Sequence, residues 1–134
     1  MLMAEPINRI LIVDDEPDIV ENIAEYFARK GYEVEIAKDG REALDTLSAD
    51  SSILIVVADI RMPRLDGLEL LRQIRTSMDR DEIKVIFISG HGGGAEADRA
   101  LELGAFRFLG KPLKLRDLQA TVEQAREALR TAAQ

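Results

Sequence analysis

The residues of this chain that could do chemistry follow short apolar runs, and most of them are acidic. Five residues stand at or just beyond the end of such a run: Asp14, Asp15, Asp59, Ser89 and Lys111. Carboxylates, a hydroxyl and an ammonium together are functional groups suited to phosphoryl transfer. Cationic groups such as the ammonium neutralise the charge on the phosphoryl oxygens. An Asp in such a set can be the covalent acceptor. Because the five residues are spread along the chain, the fold must bring them together.

The run that ends in Asp59 indicates a fold that could do this. Residues 53–58 are apolar without interruption, and Asp59 follows directly. Such an unbroken β-branched run is typical of a strand buried on both faces, as in a parallel sheet with helices on either side. Ligand sites in open α/β sheets lie at the carboxyl ends of the strands. We therefore expect the five residues to converge on one edge of the sheet.

Strand and helix signals alternate five times along the chain. The predicted strands cover residues 9–13, 33–37, 53–58, 84–89 and 106–109. A helix is predicted after each strand. The first has Pro17 in its first turn, the second and third have N-caps at Asp39 and Asp66, the fourth is an Ala-rich segment over residues 95–103, and the last begins at about Lys114. Gly31 is predicted to end the first helix. Residues 33–37 alternate polar and apolar side chains, which predicts an edge strand with one exposed face. The βα order predicts an α/β fold with right-handed crossovers.

Three carboxylates at one sheet edge repel one another. Two charges about 4 Å apart cost about 4 kcal/mol at an effective dielectric constant near 20. Either some of the carboxyl groups are protonated, or a cation lies among them. Oxygen ligands without His or Cys suit a hard ion, and Mg²⁺ is the ion we expect, with waters and a phosphate oxygen completing its coordination.

Length, charge and composition limit the classes of protein to which this chain can belong. We expect one domain over residues 1–134, since this length suffices for a buried core. The net charge of −7 argues against binding of nucleic acid by this chain itself. No apolar run approaches the roughly 20 residues of a membrane span, so no membrane association is expected. The chain has no cysteine, which fits a cytoplasmic location.

Two enzymatic interpretations fail on particular residues. The segment His91-Gly92-Gly93-Gly94 imitates the oxyanion-hole tetrad of lipases and esterases, but the sequence has no Gly-x-Ser-x-Gly motif and no second histidine. An acid phosphatase with Asp-x-Asp on a strand is excluded because position 61 is Arg. The Walker loop and the dinucleotide-binding fingerprint are also absent from the sequence.

Taken together, the motifs give a family resemblance: from about residue 10 to residue 129, the chain resembles a receiver domain of a two-component response regulator. The segments that carry it are Asp14-Asp15, Asp59-Ile60-Arg61-Met62-Pro63 with Asp66-Gly67, Ile88-Ser89-Gly90, Gly104-Ala105-Phe106 and Lys111-Pro112. The resemblance implies a (βα)5 flavodoxin-like fold, a three-layer sandwich whose parallel five-stranded sheet has the order 2-1-3-4-5. Arg64 departs from the family, which often has Gly there, and suggests a stiffer turn.

The resemblance also implies the roles of the charged residues. Asp59 is implied as the phosphoacceptor and Lys111 as the partner of the phosphate. Asp15 and Asp59 would bind Mg²⁺ directly, and Asp14 would bind it through water. The backbone carbonyl of Arg61 would supply a further ligand.

Three other residues are implied as parts of a switch. Ser89 is the switch hydroxyl, Phe108 the aromatic side chain that changes rotamer, and Pro112 the residue that follows a cis peptide bond. The simpler alternative for Phe108 is a core residue that packs without switching.

The implied function is a signalling switch that promotes only its own phosphorylation and dephosphorylation. A histidine kinase or a histidine phosphotransfer protein would donate the phosphoryl group. The face formed by the fourth helix, the fifth strand and the last helix would then change and control a partner protein or a fused output domain. A homodimer of the phosphorylated chain is a further expectation. The alternative is a binding module of the same fold whose surface works without phosphate.

Arg61 and His91 stand two residues beyond Asp59 and Ser89. These positions flank the path of a water molecule that would attack a phosphorylated Asp59. We predict that the two large side chains set the lifetime of the phosphorylated state.

The last helix carries apolar residues at alternating spacings of three and four: Leu115, Leu118, Val122, Ala125 and Leu129. The simplest interpretation is one stripe that packs on the sheet. The same alternation fits the narrow seam of a coiled coil. We therefore predict that the helix protrudes past about Ala125 and pairs with a second copy or leads into an output module.

Overall fold

The computed structural model describes residues 7–62, 64–90 and 94–132. Strands and helices alternate throughout this part of the chain. The strands are β1 (Arg9–Val13), β2 (Glu33–Ala37), β3 (Ile55–Asp59), β4 (Lys84–Ser89) and β5 (Arg107–Gly110). The helices are α1 (Pro17–Arg29), α2 (Gly40–Ala49), α3 (Gly67–Arg75), α4 (Gly94–Glu102) and α5 (Leu115–Ala132). The predicted βα order is confirmed.

All five strands are parallel and form one sheet in the order β2-β1-β3-β4-β5. This is the predicted flavodoxin-like order, and β2 lies at an edge as expected. Parallel pairing places the carboxyl ends of β1, β3, β4 and β5 side by side.

Each face of the sheet is covered by helices, which explains the unbroken apolar runs. Because successive side chains of a strand point to opposite faces, Val56 packs in a cluster with residues of α2 and α3, whereas Ile55 and Val57 pack with residues of α1 and α5. Phe27 of α1 and Leu118 of α5 are fully buried in this second cluster.

The helix signals of the sequence have a clear structural basis. The side chains of Asp39 and Asp66 each accept a hydrogen bond of 2.9 Å from a backbone N–H three residues later, as N-caps do. Pro17 is the first residue of α1. Gly31 follows the end of that helix with φ = +92°, a conformation that suits glycine. These four predictions are confirmed.

The boundaries differ by one or two residues from the predicted ones. Strand β3 begins at Ile55, although Ile53 is fully buried, because packing rather than ladder hydrogen bonding holds Ile53. The alternation in β2 is imperfect, since Ile36 is 47% exposed.

The end of α5 packs on its own domain, so the predicted protrusion from about Ala125 is wrong. Leu129 is only 7% exposed and belongs to the cluster on the α1 side of the sheet. Thr121, Val122 and Ala125 are buried on the same stripe. The three–four spacing therefore marks a sheet-packed face, and only the last described residues, 130–132, are all exposed.

Among the helices that the structure describes, none is long and apolar enough to cross a membrane.

Candidate functional site

The five residues singled out in the sequence meet at the carboxyl edge of the sheet. Asp59 ends β3 and Ser89 ends β4, while Asp14 follows β1 and Lys111 follows β5. The ammonium nitrogen of Lys111 lies 3.3 Å from Oδ2 of Asp59. This contact joins strands that are not neighbours in the sheet, and it confirms that these strand ends converge.

The side chain of Asp59 is held in place from two sides. Its side chain is buried, and Oδ1 accepts a hydrogen bond of 3.1 Å from the backbone N–H of Arg61. Oδ2 faces Lys111. The backbone N–H of Lys111 in turn donates to the carbonyl oxygen of Ser89 at 2.9 Å. The backbone of Lys111 is thereby bonded to β4, while its side chain contacts Asp59 at the end of β3.

Gly67 allows the segment after β3 to pass close to the helix that follows. A Cβ atom at this position would lie 2.8 Å from Cα of Ile60 and 2.7 Å from the ring of Phe87. The N–H of Gly67 donates to the carbonyl oxygen of Ile60 at 2.9 Å. The Asp66-Gly67 pair thus caps α3 and holds the β3–α3 loop against Asp59.

Asp14 is the buried carboxylate of the first strand end. Its Oδ1 accepts a hydrogen bond of 3.0 Å from the N–H of Glu16. Burial raises the pKa of Asp14 to about 6, and the negative charge of Asp59 adds to this rise, while the bond from Glu16 and the charge of Lys111 oppose it. A buried carboxyl group with a raised pKa beside a second carboxylate gains from a cation.

The residues present fit Mg²⁺. Asp14, Asp15 and Asp59 each offer a carboxylate oxygen, and these oxygens all lie within 4.8 Å of one another. Asp15 is exposed, which leaves an open side for water ligands. A set of oxygen donors with several waters suits this ion. The ligand role of the Arg61 carbonyl stays a prediction.

The residues assigned to a switch occupy different environments. Ser89 is fully buried, and Phe108 is half-buried against the cluster that contains Ala100 of α4. The Lys111–Pro112 peptide bond is cis, as expected. The switching of Ser89 and Phe108 stays a prediction.

Sequence reasoning missed two ion pairs next to the site. Arg61 lies 3.6 Å from Glu96 of α4, and Arg64 lies 3.3 Å from Asp39. Arg64 has φ = +69°, so its backbone takes a conformation that favours glycine. No sequence pattern links the members of either pair, because only the sheet order brings their loops together. Pro63 and His91 lie outside the described residues, and the predicted role of His91 stays a prediction.

Comparison with known families gives one clear match. A family model described as "Response regulator receiver domain" matches residues 10–123. This match includes all five residues of the site and extends into α5.

Individual relatives agree with the family match. The response regulator MprA of Mycolicibacterium vanbaalenii is 39% identical over 112 residues, which cover 84% of this chain and 47% of that protein. The chain thus spans about half the length of the curated relatives it matches.

Solved structures also resemble the fold. A response regulator receiver domain protein from Clostridium thermocellum has a TM-score of 0.87 and 32% identity, with 93% of this chain and 98% of that chain covered. A probable two-component system response regulator/GGDEF domain protein has a TM-score of 0.84 and 31% identity, with 92% of this chain and 50% of that chain covered.

Proposed function

Because the chain belongs to the response regulator receiver domain family, we propose that it is a phosphorylation-dependent switch of a two-component system, with Asp59 as the phosphoacceptor. The observation that carries this proposal is the Lys111 ammonium 3.3 Å from the Asp59 carboxylate, beside two further carboxylates. A buried acid with a cation on one side and a metal site on the other is suited to accept a phosphoryl group.

The reaction is a displacement at phosphorus. A carboxylate oxygen of Asp59 forms the new P–O bond while the P–N bond of a phosphohistidine breaks. The imidazole leaves with the electron pair and takes up a proton. Lys111 stabilises the negative charge on the phosphoryl oxygens, and the N–H of Arg61 orients the carboxylate through its bond to Oδ1.

A metal ion would be held directly by the side chains of Asp15 and Asp59 and the carbonyl of Arg61, and through water by Asp14. When bound, Mg²⁺ supplies positive charge that neutralises the phosphoryl oxygens. The protein contributes a pre-arranged set of oxygen donors, and a cation beside Asp14 would offset the burial and the like charge of Asp59 that raise the pKa of Asp14.

Phosphorylation would be read out through Ser89 and Phe108. The Ser89 hydroxyl moves toward the new phosphoryl oxygens, and Phe108 turns further into the space beside α4. The surface formed by α4, β5 and α5 changes as a result. This is a two-state element biased by a local charge event.

The partners follow from this role. A histidine kinase or a histidine phosphotransfer protein supplies the phosphoryl group, and a downstream protein or a fused output domain reads the changed surface. Since the MprA relative is about twice as long as the match, we propose that residues 1–134 are a single receiver domain whose α5 leads toward an output module. Pairing with a second copy on phosphorylation, a cytoplasmic location and no direct binding of nucleic acid complete the proposal.

The test is phosphorylation by acetyl phosphate, followed by intact mass. We expect a mass gain of one phosphoryl group that requires Mg²⁺ and disappears in Asp59→Asn. The control Asp45→Asn removes the same charge from an exposed position of α2 and should be phosphorylated like the wild type. A folded wild-type chain that gains no mass, but still binds its partner, would instead be a phosphorylation-independent binding module.

A further inference from the structure

The ion pair between Arg61 and Glu96 joins two segments that both start at the site. Arg61 stands two residues after Asp59, and Glu96 lies in the first turn of α4, the helix that follows Ser89 in the chain. The guanidinium Nη2 and the carboxylate Oε2 are 3.6 Å apart. The pair therefore connects the β3–α3 loop to α4 across the carboxyl edge of the sheet.

Glu96 is poorly satisfied in this position. Its Oε1 is buried and has no hydrogen-bond partner among the described residues, and Arg61 is its one ionic partner there. The pair separation of 3.6 Å exceeds hydrogen-bonding distance. A buried carboxylate oxygen without a hydrogen bond destabilises the structure around it. Once Arg61 leaves, the Glu96 side chain therefore no longer stabilises the first turn of α4 in its present position.

Arg61 is free to leave. Its side chain is 65% exposed and borders an open cavity of about 420 Å³, which is lined by Ile60, Met62, Asp66, Leu68 and Glu96. Its backbone N–H is already bonded to the Asp59 carboxylate, so the start of the side chain is next to the phosphoacceptor. A phosphoryl group on Asp59 would add negative charge close to this guanidinium.

We propose that Arg61 has two anionic partners and that Glu96 is a positioning residue that competes with the phosphoryl group for it. In the unphosphorylated chain Glu96 holds Arg61 and Arg61 holds the first turn of α4. In the phosphorylated chain Arg61 turns to the phosphoryl oxygens and α4 is released. The inference rests on the proposed function. In it, this one ion pair links the chemistry at Asp59 to the movement of α4.

Competition of this kind has a thermodynamic consequence. Removing Glu96 should strengthen binding of a phosphoryl mimic, because Arg61 no longer has to leave a partner. An ion pair as exposed as this one changes affinity by about two- to fivefold. The gain must depend on Arg61, and it should vanish when Arg61 is absent.

The first experiment is a double-mutant cycle of Arg61→Gln and Glu96→Gln. Each protein is titrated with beryllofluoride in the presence of Mg²⁺ and followed by amide chemical shifts. We expect Glu96→Gln to raise the affinity two- to fivefold with Arg61 present and far less with Gln at position 61. The control Asp98→Asn removes the same charge from an exposed position of α4 and should leave the affinity unchanged. An equal gain in both backgrounds, or an equal gain from Asp98→Asn, would overturn the proposal.

The second experiment needs no phosphoryl mimic. Arg61→Gln should speed hydrogen exchange of the amides of α4 (Gly94–Glu102) in the unphosphorylated chain. Because Arg61 is not part of that helix, a change in intrinsic helix stability cannot cause this effect. Arg41→Gln, which removes an exposed arginine of α2, should leave α4 exchange unchanged. Unchanged α4 exchange in Arg61→Gln would refute the tether, whereas a wild-type chain that binds no beryllofluoride would refute the proposed function.

Discussion

Replacing Asp14 by Asn should stabilise the metal-free protein. The Asn side chain keeps a carbonyl oxygen that can accept the bond from the N–H of Glu16, so the replacement mainly removes the buried charge. The rise of the Asp14 pKa from 3.8 to about 6 corresponds to about 3 kcal/mol. Asp14 also borders two open cavities, and solvent screening there reduces the expected gain in unfolding free energy to about 1–2 kcal/mol.

The sign of this effect fixes its pH dependence. A carboxyl group whose pKa is raised by folding binds more protons in the native state than in the unfolded state between pH 3.8 and about 6. The wild-type protein therefore loses this part of its stability as the pH rises through that window. The difference between Asp14→Asn and wild type should be absent below the window and complete above pH 7.

The assay is urea unfolding followed by circular dichroism, in EDTA, across this pH range. Asp45→Asn serves as the control and should stay within about 0.5 kcal/mol of wild type at every pH, as exposed substitutions do. Added Mg²⁺ should then reduce or reverse the difference, because the wild type, with one more carboxylate at the site, binds the ion more tightly and is stabilised more by it. A variant that is less stable than wild type in EDTA at pH 8 would show that the buried charge of Asp14 does not destabilise the metal-free protein.

Three further predictions follow from the same geometry. Lys111→Met should slow phosphorylation by acetyl phosphate about 10- to 100-fold, since it removes a charged partner of the transferred group, and an unchanged rate of mass gain would contradict the role of the lysine. Gly67→Ala should lower the unfolding free energy in urea by about 1–3 kcal/mol, because its Cβ would lie 2.7 Å from the Phe87 ring. Gly110→Ala, which meets nothing within 4 Å, should have no comparable effect, and equal losses would rule out the steric cause. Leu129→Ala should lower the unfolding free energy by about 2–3 kcal/mol, and a loss near zero would restore a protruding helix.

The fold was predictable because its signals are local. Buried parallel strands need continuous apolar runs, and a short polar side chain such as Asp39 or Asp66 marks a helix start by its own hydrogen bond. The last helix was not predictable to the same degree. A spacing of three and four describes any apolar stripe, and the sequence does not say whether the sheet or a second helix covers Leu129.

The site likewise has features that the sequence predicts and features that depend on packing. Asp59 and Lys111 could be placed together because the carboxyl ends of parallel strands share an edge. The partners of Arg61 and Arg64 could not be found, since they depend on how the loops after β3 pack against α4 and α2. The raised pKa of Asp14 was likewise hidden, because it depends on a depth of burial that sequence alone does not give.

If Asp59 is the phosphoacceptor, the acyl phosphate must be found at position 59, and chemical reduction can locate it. The chain is treated with acetyl phosphate and Mg²⁺, reduced with borohydride so that an aspartyl phosphate becomes homoserine, and mapped by tandem mass spectrometry. We expect homoserine at position 59 and none when Mg²⁺ is withheld. Homoserine at position 14, 15 or 66 instead, or the same yield without Mg²⁺, would contradict it.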